Sequence, residues 1–179
     1  EPGEKTDVQV EVSVPEDPTP IGDHWAMLLV RGQQANPEED SGMKVSVGYA
    51  VKILVEDQNA KNKSGKITNI QLANHNPMKI SIEYLNNGTS YIKTEGSVEI
   101  RNLQGETEKT FEVKEFPTLP GEKRIIQVGM KNSSKPLDPG QYYAIVTMDY
   151  GGDHAIQGGR PIEIKESEPK EESSEGTKE

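Results

Sequence analysis

Three histidines, His24, His75 and His154, are the side chains in this sequence most able to bind a metal or move a proton, and Asp23 and Asp153 sit beside two of them. A metal needs ligands that converge from fixed elements, and neither a His-x-His nor a His-x3-His spacing occurs. His24 reads better as the counterpart of Tyr142 at the start of a strand. Glu38, Glu39 and Asp40 lie between "QQANP" and "SG", a turn composition, so a hairpin tip is expected there rather than a general acid and base. The stretch "GGDHAIQGG" at 151–159 is rich in glycine but joins two strand-like segments. It lacks the following helix that a phosphate cradle needs, and it is expected to be a mobile hairpin loop. Trp25, the single tryptophan, sits in "HWAMLLV" and can pack a core or offer an indole platform to a sugar. None of these groups forms a catalytic set, and the expectation is a protein with no enzymatic activity, no metal and no cofactor.

The elements that carry these residues are strands. Apolar residues make up 31% of the chain, against about 45–50% in an average globular domain, so its cores are thin. Sandwiches of alternating strands fit that composition, because each strand gives half its residues to solvent. The 30 acidic and 20 basic residues leave a net charge of -10, which repels phosphate backbones and argues against nucleic-acid binding. Absence of cysteine removes disulfides, zinc–thiolate sites and thiol nucleophiles. No apolar run approaches the roughly 18–20 residues of a membrane span. The Glu-, Ser- and Lys-rich stretch 167–179 has the composition of a disordered acidic tail.

One phrase occurs twice. Advanced by 118 positions, residues 2–30 fall on 120–148 without a gap, and Pro-Gly-Glu-Lys at 2–5 meets Pro-Gly-Glu-Lys at 120–123. Gln9-Val10 meets Gln127-Val128, Pro18 meets Pro136, Gly22 meets Gly140, Ala26 meets Ala144, and His24-Trp25 meets Tyr142-Tyr143. Two copies of one structural unit are implied. Each copy reads as a Pro-Gly turn, an alternating strand, a Pro-rich link and a Gly-led strand. In the first copy the strands are expected at 6–14, 24–30 and 43–55, and in the second at 123–130, 142–150 and 160–165. Four more strands, at 66–73, 78–87, 91–102 and 108–116, precede the second copy and complete it.

This order resembles the last three strands of an immunoglobulin-like sandwich, with Tyr142 placed like that fold's corner tyrosine. The expected fold is therefore all-β: one complete seven-stranded immunoglobulin-like β-sandwich over 66–166, and an N-terminally truncated one over 1–57. Residues 58–65 are read as a linker. Three strands leave an apolar face bare. The expectation is that the chain lacks its own beginning, or that strand exchange with another chain completes the first unit. The alternating run "MKVSVGYAVKILVED" puts Val45, Val47, Tyr49, Val51, Ile53 and Val55 on one face of a long edge strand.

The layout, with "GYAVKILVED" followed by a second unit from "LANHNPMKISIEYLNNG" to "LDPGQYYAIVTMDYGG", resembles bacterial envelope proteins of two immunoglobulin-like domains. Two groups share it: cell-surface proteins that associate with WxL-domain proteins and peptidoglycan, and periplasmic pilus-assembly chaperones. The resemblance implies an extracellular, cell-surface or periplasmic location and a binding or scaffold role toward a protein or peptidoglycan partner. By similarity to the chaperones' subunit-binding strand, it implies that Lys52 anchors a partner's carboxylate, flanked by Tyr49, Val51 and Ile53. The alternative function is a pair of ancillary sandwich domains from a larger secreted enzyme, or a pilus-chaperone-like strand-capturing protein.

Overall fold

A computed structural model of the chain describes residues 5, 7–16, 21–32, 47–58, 61–131 and 135–165. The described residues contain no helix, and their nine strands form three antiparallel sheets. Strands β1 (His24–Arg31) and β2 (Gly48–Val55) make a two-stranded ribbon. Strands β3 (Gly65–His75), β4 (Met78–Asn86) and β7 (Lys123–Gly129) form a sheet in the order β3-β4-β7. Strands β5 (Ile92–Arg101), β6 (Thr107–Thr118), β8 (Gly140–Asp149) and β9 (Ile156–Ile164) form a sheet in the order β6-β5-β8-β9.

The two larger sheets enclose one hydrophobic cluster, in the layered arrangement of a β-sandwich. Alternation decides which side chains enter it. On β4, Met78, Ile80, Ile82 and Tyr84 follow a period of two and all are buried, as are Val98 and Ile100 on β5 and Ala144, Val146 and Met148 on β8. The Tyr84 ring meets Phe116 edge-to-face at 5.5 Å, and its hydroxyl accepts a hydrogen bond from Thr94 Oγ1 at 3.1 Å. Gly65 lies directly under that hydroxyl, where a Cβ would overlap it.

Arginines tie the two sheets together along both open sides. From β9, Arg160 Nη1 donates to the Asn69 side chain at 3.0 Å and to the Ile70 carbonyl of β3 at 2.9 Å. At the opposite side, Arg124 of β7 donates to the Pro117 carbonyl of β6. Pro117 is tolerated within a strand because β6 is an edge and no ladder bond needs its missing N–H.

The repeated Pro-Gly-Glu-Lys phrase has a local cause in its second occurrence. Gly121 takes a φ of 75°, and the Glu122 carboxylate accepts from the Leu119 amide at 2.8 Å, closing the turn that feeds β7. At the Pro-Gly corner before β8, the Tyr142 hydroxyl donates to the Asp138 carbonyl, four residues back, at 2.9 Å. Burial, with Asp138 and Glu108 nearby, pushes this hydroxyl up from its ordinary value, so it stays a donor. A raised folded-state value means that its contribution is fully present below the ordinary tyrosine range near pH 10 and is lost as pH rises through the higher value. Tyr142→Phe should cost about 1 kcal/mol and lower the thermal midpoint by roughly 4–8 °C at neutral pH, a loss that calorimetry can measure.

The structure departs from the sequence expectations in three places. Residues 7–15 carry the alternation of a strand but join no ladder, and Val8, Val10, Val12 and Val14 are exposed. Their repeat counterpart, β7, pairs with β4 alone, and the described part of the first copy has no equivalent of β4. The second departure is β9, which starts at Ile156. Gly158 and Gly159 are thus strand residues, and a Cβ on Gly158 would lie 3.2 Å from the Ile70 side chain. Third, β2 begins at Gly48; residues 43–46 lie outside the described residues, as do Glu38, Glu39, Asp40 and the tail at 167–179.

Candidate functional site

The histidines stand on separate elements: His24 starts β1, His75 ends β3, and His154 is in the turn between β8 and β9. Among the described residues, no three His, Asp or Glu side chains come together as a metal-binding group. Asp23, which the sequence offered only as a neighbour of His24, has a different role. One carboxylate oxygen accepts from the Asp57 amide at 2.9 Å and the other from the Tyr91 amide at 2.6 Å, while its own amide donates to the Thr89 carbonyl at 2.8 Å. Asp23 thereby joins the start of β1, the end of β2 and the loop before β5. Gly22 makes this approach possible. It is buried with a φ of 126°, and a Cβ there would overlap the Thr89 carbonyl.

The receiving loop, 87–91, is held from beneath by Asn86. This fully buried side chain donates to the Ser90 carbonyl at 2.9 Å and the Thr118 carbonyl at 3.2 Å, and accepts from the Gly88 amide at 3.0 Å. Residues read as linker take part as well. The Asn62 carbonyl accepts from the Thr89 amide at 2.9 Å, and the Ser64 carbonyl accepts from the Asn87 amide at 3.1 Å.

Opposed residues of an antiparallel pair share a face, so the register divides the ribbon into two surfaces. Ala26 faces Ile53, Leu28 faces Val51, and Val30 faces Tyr49. Their repeat counterparts on β8 are Ala144, Val146 and Met148, each 0% exposed. On this side of the ribbon, by contrast, Tyr49 is 69% exposed and Val51 50%. The other side carries Trp25 opposite Leu54, Met27 opposite Lys52, and Leu29 opposite Ala50, with Trp25 51% exposed. Exposed apolar side chains on both faces of one element are unusual in a monomeric protein.

Lys52 therefore stands on the opposite face of β2 from Tyr49, Val51 and Ile53. Its ammonium lies 5.2 Å from the centre of the Tyr91 ring, a cation–π contact that points the side chain toward the Asp23 junction. Neither β1 nor β2 contains a carboxylate, although the chain has 30 acidic residues. A groove of about 490 Å³ separates the ribbon from residues 10–15 and is lined by Val10, Val12, Val14, Ala26, Ile53 and Val55 among others. Comparison of the chain with protein-family models and with curated proteins finds no match in either.

Proposed function

We propose that the chain is a non-catalytic binding and scaffold module of the bacterial cell envelope. It recognises a protein or peptidoglycan partner through the β1–β2 ribbon. The observation that carries this reading is the ribbon itself, apolar and exposed on both faces and free of carboxylates in a strongly acidic chain. The exposed part of this apolar area stabilises nothing in the free protein, whereas covering it in a complex contributes about 25 cal/mol per Å². Lys52 is the cation best placed to meet a partner's carboxylate, and the outer edge of β2, unpaired among the described residues, can accept an added strand.

In this reading the two units are immunoglobulin-like: a complete sandwich at 66–166 and the C-terminal half of another at 1–57. Three features support it. Strands β3-β4-β7 lie opposite β6-β5-β8-β9, the Tyr142 hydroxyl binds back to the chain four residues upstream, and β1–β2 repeats β8–β9 at the same offset of 118. The envelope location rests on the sequence resemblance to two-domain envelope proteins.

Cosedimentation with insoluble peptidoglycan tests the function. The chain should pellet with the wall, and Lys52→Ala combined with Met27→Ser should weaken pelleting about tenfold, since both positions are exposed and substitution there spares the core. Failure of the unsubstituted chain to pellet, together with no binding to envelope proteins extracted from the same walls, would contradict it.

A further inference from the structure

The loop that receives Asp23 contains the one Asn-Gly step in the chain, Asn87–Gly88. In such a step the backbone nitrogen of the glycine can attack the preceding side-chain amide, because no Cβ shields it. Asn87 is exposed to the water that the reaction consumes. The fold also keeps the glycine in place, since a Cβ on Gly88 would overlap the Asn62 carbonyl oxygen.

Both reacting groups are restrained in the fold. The Gly88 amide donates to Asn86 Oδ1 at 3.0 Å and to the Ser64 carbonyl at 3.2 Å, so the attacking nitrogen is engaged elsewhere. The Asn87 side chain is tethered as well, its Oδ1 accepting from Ser64 Oγ at 3.1 Å. Attack therefore requires local opening of loop 87–91, and its rate follows the population of the open loop.

We propose that Asn87 is a site of spontaneous hydrolytic modification, gated by Asn86 and Ser64, and that its conversion to isoaspartate releases the β1–β2 ribbon. The Gly88 nitrogen bonds to Asn87 Cγ, the bond from Cγ to Nδ2 breaks, and ammonia leaves with the proton of the Gly88 amide, closing a succinimide ring. Water then opens the ring: attack at the backbone carbonyl of Asn87 gives isoaspartate, and attack at Cγ gives aspartate. One water is consumed and one ammonia released, with no change of oxidation state. In isoaspartate the main chain runs through Cβ and Cγ and is one atom longer. The added length misaligns the Thr89 and Ser90 amides, which donate to the Asn62 carbonyl at 2.9 and 3.2 Å, and the Thr89 carbonyl, which accepts from the Asp23 amide at 2.8 Å. The seat of Asp23 is thereby loosened in one direction only, whatever the ribbon binds.

Incubation of the full chain at neutral and mildly alkaline pH, followed by peptide mass mapping and isoaspartyl-specific methylation, tests the proposal. Conversion should occur at Asn87 and quicken as pH rises, because the attacking nitrogen must lose its proton. It should run roughly 10–100-fold slower than in a free peptide of residues 82–92, the protection that the restraining hydrogen bonds supply. Ser64→Ala removes the tether on the Asn87 side chain at a half-buried position and should speed conversion about fivefold. The converted chain, separated by its added negative charge, should lose exchange protection at the Asp57 and Tyr91 amides while β4 and β8 keep theirs. No conversion in either chain, a rate equal to that of the peptide, a Ser64→Ala rate equal to wild type, or full protection at Asp57 and Tyr91 after conversion would each overturn the proposal.

Discussion

Asp23→Ala should release the ribbon while leaving the sandwich as stable as before. The substitution removes both acceptor oxygens from the amides of Asp57 and Tyr91, which are separated from Asp23 by 34 and 68 positions in sequence. Hydrogen bonds to a charged acceptor contribute about 1.5–3 kcal/mol each, so exchange protection at these two amides should fall by roughly 10–100-fold. The thermal midpoint of the 65–165 unit should not move, because none of its core residues touches Asp23 and local opening need not propagate. Asp23→Asn keeps one acceptor oxygen and turns an amide donor toward the other amide, so it should lose protection at one position only. Hydrogen exchange read by NMR resolves the two sites. Equal loss across β4 and β8 would show that Asp23 supports the sandwich itself.

The second large effect belongs to Asn86, beneath the loop that receives Asp23. Asn86→Ala deletes three hydrogen bonds at a fully buried position and leaves the Ser90 and Thr118 carbonyls and the Gly88 amide without that partner. With a net value near 1 kcal/mol per bond and a further penalty for buried orphans, the expected loss is about 3–4 kcal/mol. That corresponds to roughly 15–25 °C in the midpoint of a domain this size. Asn86→Asp retains the acceptor for Gly88 but turns a carboxylate toward two carbonyls, so it should be milder at acidic pH, where a protonated carboxyl can donate. The two substitutions differ in direction of coupling. Losing Asn86 should also expose the Asp57 amide by loosening loop 87–91, whereas losing Asp23 should not lower the midpoint. Denaturant titration beside amide exchange checks both halves of that asymmetry.

Strand alternation made much of the sandwich legible. "MKISIEY" reads directly as β4, and the segments that match around Ala26 and Ala144 are both strands, β1 and β8. Alternation describes side chains, however, and says nothing of ladder partners. The valines of 8–14 therefore read as a strand although the partner strand of their counterpart has no equivalent in the described first copy. Gly158 and Gly159 were misread for a related reason. Glycine signals a turn in sequence, but here it makes room for Ile70 from the facing sheet and for Ile145 of the neighbouring strand. In sequence Asn86 lies near the end of the strand expected at 78–87, and only its buried side-chain amide shows that it orders the loop beyond.

Asp23 was hidden most completely, because its partners are backbone amides that no side-chain pattern records. One signal was available: it replaces Gln141, an exposed residue, in an otherwise conservative stretch of the repeat. Lys52 and its neighbours were legible as an alternating strand, but their division between two faces follows from the register, and the Tyr91 contact from the fold.

The claim that the ribbon is the recognition surface has a built-in reporter. Trp25 is the single tryptophan, lies on the ribbon face shared with Lys52, and is 51% exposed. Its fluorescence should be followed as soluble peptidoglycan fragments, and then detergent-free envelope protein extracts, are added to the full chain. The account predicts a blue shift that saturates with ligand and disappears in the Lys52→Ala, Met27→Ser variant. Binding detected by sedimentation with an unchanged Trp25 spectrum would contradict it, placing recognition on another surface of the molecule.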